Sequence, residues 1–211
     1  MDEIVIFGAG GFGREVAWLM EEINQVEPRF HILGFLDDDP SMVGKRLNDY
    51  PVFEAHTFLK NHQGISVALA VGQPLIRMAV ADRLSGYALH YPNLIHPTVR
   101  MSTTNTLGMG NILCAGVIVT VNTRIGNFCH LNLKTTVGHD CVLEDFTTTA
   151  CGVDLAGKSH IGKGAYLGNH ATVLPSVRVG EKAVVGAGAV VNRELPAATV
   201  SVGVPARVIK P

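Results

Sequence analysis

Apolar residues recur at every sixth position from Ile95 to Val191. Of the seventeen positions in this series, only Thr149 is polar, and no insertion shifts the phase. Small or β-branched side chains stand four positions after most of these residues, and a glycine often directly follows the apolar residue itself. A period of six fits neither an α-helix, at 3.6 residues, nor a two-faced strand. It is typical of a parallel β-helix, in which each hexapeptide gives one short strand and one turn.

The first third of the chain instead alternates between strand and helix patterns. Apolar runs predict strands over residues 4–7, 31–36, 66–71 and 87–91. Helical spacing predicts helices over 14–23 and 75–84, with a weaker one over 55–60. This alternation is typical of an α/β domain with a small parallel sheet. We therefore expect an α/β domain over residues 1–92 and a β-helix with a C-terminal cap over residues 93–211.

A glycine-rich turn, Gly8-Ala-Gly-Gly-Phe-Gly13, joins the first predicted strand to the first helix. In this context the G-x-G-x-x-G spacing indicates a nucleotide site, because loop N–H groups and the helix N-terminus favour phosphate. Asp37 follows the second strand, where a carboxylate meets a ribose hydroxyl. The alternatives are a tight turn without a ligand and a site for NAD. Because the domain supplies only half of a doubly wound fold, a mononucleotide, such as that of an activated sugar, fits better.

The charge and composition of the chain limit the kinds of molecule that it is expected to bind and the compartment in which it is expected to work. A net charge of −1 and a pI near 6.7 argue against nucleic acid. No apolar run reaches the roughly 20 residues of a membrane span, and the first residues lack the basic region of a signal peptide. The expected location is therefore the cytoplasm. The four cysteines are expected to be reduced, since no two stand eighteen residues apart.

The glycine-rich domain, the Asn93–Pro97 hinge and the hexapeptide series together resemble the NeuD/PglD-like sugar O-/N-acyltransferases. This family includes sialic acid O-acetyltransferases and N-acetyltransferases of 4-amino nucleotide-sugars. The resemblance implies a left-handed β-helix with three hexapeptides per coil, so that residues eighteen apart stack. It also implies a homotrimer, a nucleotide-sugar held by the N-terminal domain, and acetyl-CoA lying between neighbouring subunits.

Candidate chemistry is concentrated in the segment Val137-Gly-His-Asp-Cys141. Histidine titrates near neutral pH, so His139 is a candidate base, and Asp140 would orient its ring. The structural alternative is a turn histidine followed by a capping aspartate. The resemblance implies catalysis by His139 with help from Asp140. Gly157 lies eighteen residues beyond His139, and the resemblance implies that its N–H binds the thioester oxygen.

The resemblance implies further contacts, some of which have structural alternatives. Asn132 would lie near the acceptor sugar, unless it forms a side-chain ladder. Arg207 and Lys210 would meet the phosphates of CoA, unless the final segment only caps the last coil. The remaining nucleotide contacts are expected from Gly10, Gly11, Phe12, Gly13, Asp37 and Asp38. No metal is expected, because His130, His139, His160 and His170 occupy four different positions within the eighteen-residue coil.

Three positions depart from the family pattern. Phe12 stands where many members have a histidine, so a polar contact to the nucleotide is missing. Thr148 and Cys151 replace a histidine and a proline in the segment after Asp145-Phe146. Thr148 keeps a hydroxyl for the thioester region but cannot act as a second base. These changes bear on the identity of the acceptor more than on the reaction class.

The expected function is acetyl-CoA-dependent N-acetylation of the 4-amino group of a UDP-, GDP- or dTDP-linked sugar for surface glycans. One alternative is O-acetylation of sialic acid or another sugar. A second alternative is a nucleotide-sugar-binding protein that has lost activity.

Overall fold

A computed structural model describes residues 1–210. Pro211, the last residue of the predicted cap, lies outside the described residues. The N-terminal elements, in chain order, are β1 (Asp2–Phe7), α1 (Gly11–Val26), β2 (Phe30–Asp37), β3 (Arg46–Leu47), β4 (Tyr50–Glu54), α2 (Ala55–Asn61), β5 (Ser66–Leu69) and α3 (Pro74–Leu84). The sheet order is β3-β4-β2-β1-β5. All its pairs are parallel except the β3–β4 hairpin.

The predicted alternation of strands and helices is confirmed, with two differences. The strand predicted over residues 87–91 was wrong, since only His90 pairs there, in an isolated bridge to Ser66. Strands β3 and β4 were missed. Pro51 lies inside β4 and weakens its strand pattern, because proline has no N–H to donate to a ladder.

The rest of the chain forms a prism whose strands are only two to four residues long. They are β6 (Leu94–Ile95), β7 (Arg100–Met101), β8 (Thr106–Leu107), β9 (Ile112–Leu113), β10 (Ile118–Val119), β11 (Arg124–Ile125), β12 (His130–Leu131), β13 (Thr136–Val137), β14 (Val142–Leu143), β15 (Thr148–Thr149), β16 (Asp154–Leu155), β17 (His160–Ile161), β18 (Tyr166–Leu167), β19 (Thr172–Val173), β20 (Arg178–Val179), β21 (Val184–Val185), β22 (Val190–Val191), β23 (Val200–Val202) and β24 (Arg207–Lys210).

These strands stack into three sheets, which form the faces of the prism. We call the sheet β6-β9-β12-β15-β18-β21-β23-β24 the covered face, because the N-terminal domain packs on it. The second face is β7-β10-β13-β16-β19-β22, and the third is β8-β11-β14-β17-β20. The architecture matches the expected left-handed β-helix, as the structural comparisons given below show.

The sixfold series forms the core of the prism through a strict register of eighteen. On the second face, Val137 pairs with Val119 on one side and with Leu155 on the other. Each of these side chains is essentially buried. Thr149, the polar exception in the series, is also buried and bonds through its hydroxyl to Thr135 Oγ1 at 3.1 Å. A buried hydroxyl with a partner is tolerated in an apolar core, so the exception does not interrupt the stack.

Helices α1 and α3 join the N-terminal domain to the prism. Leu94 and Ile112 of the covered face share a buried cluster with residues of α1. On α3, Arg77 is fully buried and reaches into the prism. Its guanidinium donates to the carbonyl oxygens of Val71 (2.6 Å), Gly72 (3.3 Å), Phe128 (3.0 Å) and Phe146 (2.9 Å), to Thr148 Oγ1 (2.8 Å) and to His130 Nδ1 (3.0 Å).

Within residues 1–210, Arg77 has no carboxylate within ion-pair distance. Burial lowers the pKa of its guanidinium to about 9. The buried cation is therefore stabilised only by neutral oxygen and nitrogen acceptors.

The described residues contain no helix with the length and hydrophobicity needed to span a bilayer.

Replacing Arg77 by alanine is expected to destabilise the protein far more than replacing Arg83, which lies six residues later on the same helix. Arg83→Ala removes an exposed pair with Asp38 and should change the free energy of unfolding by at most about 1 kcal/mol. Arg77→Ala leaves several buried acceptors unpaired, each costing about 1–3 kcal/mol. Urea unfolding of both variants measures the difference. Equal midpoints would show that the buried contacts do not hold the two domains together.

Candidate active site

His139 lies in the turn between the second and third faces, which we call the His139 corner (residues 138–141). Its Nδ1 is 2.7 Å from Asp140 Oδ2, and both side chains are about half exposed. Because the carboxylate can only accept, Nδ1 carries the proton of this contact and Nε2 is left to accept another. The hydrogen bond from His139 is the main cause that lowers the pKa of Asp140. The pair has the geometry of a base oriented by a carboxylate.

The turn geometry of this corner repeats in successive coils. Asp140 has a φ of 58°, and Asn122, one coil earlier, and Lys158, one coil later, have φ values of 57° and 61°. The Lys158 N–H donates to the His139 carbonyl at 2.8 Å. The backbone on both sides of the histidine is thus fixed by the neighbouring coils.

The structure brings Gly157 directly against the His139 ring. A Cβ added to Gly157 would lie 2.7 Å from His139 Cε1, so a side chain there would displace the ring. Within residues 1–210, no acceptor receives the Gly157 N–H, although the N–H groups of both neighbours are bonded, Ala156 to Val173 and Lys158 to His139. An unpaired, partly exposed amide next to a base is suited to stabilise an oxyanion.

The glycine-rich turn forms a second candidate site at the end of β1. Asp37 Oδ2 accepts from the Ala9 N–H at 2.9 Å, and its Oδ1 accepts from the Asp39 N–H at 3.0 Å. Asp38 pairs instead with Arg83 at 2.6 Å. A Cβ at Gly13 would overlap the Gly8 carbonyl, so this position must be glycine for the helix to pack so closely. The predicted aspartate therefore does lie beside the loop.

The N-terminus of α1 is open to a ligand. Gly10 caps it without a side-chain hydrogen bond, and the first turn contains no acidic residue. A Cβ at Gly10 would meet no atom within 4 Å, and Gly11 is nearly as open. Unpaired N–H groups at a helix N-terminus favour an anionic group such as phosphate.

A pocket of about 430 Å³, which we call the inter-domain pocket, lies beside this loop where the loop meets the covered face. Both domains line it, through Phe12, Glu15, Gly72, Gln73, His130, Asn132, Thr148, Ala150 and Tyr166. Asn132 accepts from the Leu133 N–H at 2.7 Å, so its amide nitrogen stays available. The Thr148 hydroxyl contacts Arg77 and the Gly72 carbonyl. It therefore serves the domain junction as well as the pocket.

The predicted site residues thus form two groups, which lie on different sides of the prism within one chain. Asn132 and Thr148 lie on or beside the covered face, whereas His139 lies at the corner between the other two faces. In a prism with three faces, that corner is opposite the covered face. Thr148 and His139 therefore do not meet within one subunit, although the sequence suggested both for the thioester region.

The two basic residues of the predicted tail lie apart from both groups. Arg207 and Lys210 are exposed on β24, which pairs antiparallel with β23. Arg207 Nη1 donates to the Ala206 carbonyl at 2.7 Å. The segment caps the covered face, and both cations remain accessible.

Two residues of the inter-domain region were missed from the sequence. His130 was considered only as a metal ligand, and Arg77 was passed over as one charge in a predicted helix. The buried residues of α3 are Pro74, Arg77, Val80 and Leu84, at helical spacing. A cation within that stripe is the signal that marks Arg77. No group of three potential metal ligands comes together within the described part of the chain.

Comparison with known proteins identifies relatives for both parts. Residues 3–84 match the model of the PglD N-terminal domain, and residues 158–193 match that of the bacterial transferase hexapeptide repeats. The GDP-perosamine N-acetyltransferase of Escherichia coli O157:H7 is 32% identical over 174 residues, which cover 82% of this chain and 78% of that protein.

Solved structures extend the similarity to nearly the full length. PerB from Caulobacter crescentus, in complex with CoA and GDP-perosamine, superposes with a TM-score of 0.89 at 28% identity, covering 99% of this chain and 97% of that one. The acetyltransferase domain of PglB from Neisseria gonorrhoeae, in complex with acetyl coenzyme A, gives 0.89 at 28% identity, with 98% of both chains covered.

Adding a methyl group at Gly157 is expected to displace the His139 ring without unfolding the prism. Gly157→Ala should lower kcat by about 10²-fold, because a small misplacement of a reacting group has an effect of this size. Gly86→Ala is the matched control, since a Cβ there meets no atom within 4 Å. Steady-state kinetics and thermal unfolding of both variants test this. Normal turnover by Gly157→Ala would exclude the packed ring position as the working one.

Proposed function

The chain belongs to the NeuD/PglD-like family of hexapeptide-repeat acetyltransferases, and we propose that it acetylates the 4-amino group of a nucleotide-linked sugar with acetyl-CoA. The single observation that carries this proposal is the His139 corner, where an oriented imidazole and the free N–H of Gly157 stand side by side. The similarity to GDP-perosamine N-acetyltransferase makes a GDP-linked 4-amino sugar the first acceptor to test.

The mechanism follows from the chemistry of the corner. His139 Nε2 accepts a proton from the attacking amine as its nitrogen bonds to the thioester carbonyl carbon. Asp140 keeps the ring in the required tautomer and stabilises the imidazolium. The Gly157 N–H donates to the oxygen that becomes negative. When the carbon–sulfur bond breaks, His139 returns its proton to the departing thiolate, which leaves an amide and free CoA thiol.

The remaining predicted residues are proposed as binding contacts. Residues 10–13 and Asp37 hold the diphosphate and ribose, with Asp38 beside them, because the open N-terminus of α1 favours phosphate. Asn132 and Thr148 face the acceptor and the thioester end of the cofactor. Arg207 and Lys210 meet the phosphates of CoA as charge-assisted donors.

We further propose that the active site forms between subunits of a homotrimer. The inter-domain pocket lies on the covered face, and the His139 corner lies opposite it. A neighbouring copy that places its own corner against the pocket would join the two groups. Three such contacts close into a ring, as expected of a head-to-tail interface.

This arrangement assigns a separate role to each part of the chain. Residues 1–92 are proposed as the nucleotide-sugar domain and residues 93–211 as the acyltransfer domain. The chain carries four cysteines without a disulfide, three of them buried. Free thiols and the use of acetyl-CoA support a cytoplasmic enzyme of surface glycan biosynthesis.

An assay of free thiol release tests the reaction. Purified protein would be given acetyl-CoA with UDP-, GDP- and dTDP-linked 4-amino sugars, and separately with sialic acid. Turnover is expected with an amine. His139→Ala should lower kcat by about 10²-fold or more, whereas His170→Ala, at an exposed turn, should not change it. Turnover with sialic acid alone would replace the amine by a hydroxyl acceptor, the alternative considered from the sequence.

Mixing two inactive variants tests the shared site. His139→Ala disables the corner, and Gly11→Asp places a negative charge where the diphosphate is expected to bind. If each site combines the corner of one protomer with the pocket of the next, random reassembly should restore about a quarter of the sites. The measurement is activity after co-refolding the variants in equal amounts. If both groups came from one protomer, mixing would restore no activity.

A further inference from the structure

The His130 imidazole is buried in the wall of the inter-domain pocket. The residue is only 1% exposed. The ring of Phe12, from the glycine-rich loop, covers it at a centroid distance of 5.1 Å. On the next coil, His130 pairs in register with Thr148. A polar ring is thus enclosed where the loop, the prism and the pocket meet.

Arg77 fixes which nitrogen of His130 carries the proton. Its Nη1 lies 3.0 Å from His130 Nδ1. A guanidinium has no acceptor, so it must donate, and Nδ1 must accept with its lone pair. Burial, followed by the nearby charge of Arg77, lowers the pKa of His130 well below its usual value. The neutral ring therefore carries its only proton on Nε2.

That Nε2–H has no hydrogen-bond partner within the described residues. The Leu69 backbone lies close enough to act to raise the pKa of His130, but no atom among the described residues meets the distance and angle of a hydrogen bond to Nε2. Buried donors are almost always paired, so an orphan of this kind requires an explanation. Because Arg77 donates to the other nitrogen, the ring is polarised and its free N–H is a strengthened donor.

We propose that His130 is a substrate-binding residue whose Nε2–H donates to a diphosphate oxygen of the nucleotide-sugar. This inference rests on the proposed function of the inter-domain pocket. The Phe12 ring, which covers His130, must swing aside to admit the ligand. His130, on β12, then takes the place of the histidine that many family members have at the position of Phe12. The prism thus provides the polar contact to the nucleotide that the glycine-rich loop lacks.

Two substitutions at His130 separate binding from packing. In His130→Gln, the amide oxygen can accept from Arg77 and the amide nitrogen can donate to the ligand. His130→Leu provides neither. The KM for the nucleotide-sugar should rise about tenfold in the leucine variant, with kcat and the KM for acetyl-CoA within about twofold of wild type. The glutamine variant should recover most of the loss. His170→Leu, at an exposed turn, is the control and should match wild type.

The outcomes distinguish this inference from the proposed function. An unchanged KM in His130→Leu would overturn it, as would equal losses in both variants with equally lowered thermal unfolding midpoints, which would indicate packing alone. If wild type acetylates no amine, the reaction is wrong, and binding of GDP, UDP and dTDP by calorimetry replaces the assay. The same tenfold weakening in His130→Leu would then support the contact. Binding of none of these nucleotides to wild type would refute it.

Discussion

The arrangement of the two domains depends on one buried cation without an anion. Arg77 belongs to the buried stripe of α3 and donates to six acceptors, two from its own domain's loop and four from the prism. A buried charge is costly unless every donor is satisfied. The acceptors belong to both domains, so only one docking position meets this condition. This docking position also sets where the pocket, the glycine-rich loop and His130 lie relative to one another.

Most of the prism follows from one period in the sequence and from the family resemblance. The period of six predicts the strands, and the eighteen-residue coil that the resemblance implies predicts the stacking that places Gly157 beside His139. The N-terminal domain was harder to predict, because each of its strands and helices is indicated only by a short local pattern. Residues 87–91 look like a strand but lie beside the sheet with a single bridge at His90. The docking of the two domains could not be predicted, because the helical stripe marks Arg77 as unusual but does not say which carbonyl groups will surround its guanidinium.

In the candidate site, too, the positions of residues on the prism could be predicted from the sequence, but the contacts between the domains could not. Residues eighteen apart share a position on the prism, whereas residues nine apart lie half a coil from each other. Thr148 is nine residues beyond His139 and His130 nine before it, so both lie across the prism from the base. Given the eighteen-residue coil that the resemblance implies, the spacing of these residues was enough to predict this separation. The hydrogen bonds to His130 and Thr148 were not contained in it, because they come from a helix more than fifty residues earlier.

The two ends of the covered face differ from its middle. At the start, Leu94 and Ile112 are sealed into the core of the N-terminal domain. At the finish, β24 runs antiparallel to β23 and reverses the direction of the ladder. A stack of identical parallel coils is otherwise a template on which further coils from other molecules can add without limit. The antiparallel β24 therefore interrupts the parallel template at the end of this face, which disfavours the addition of further parallel coils there.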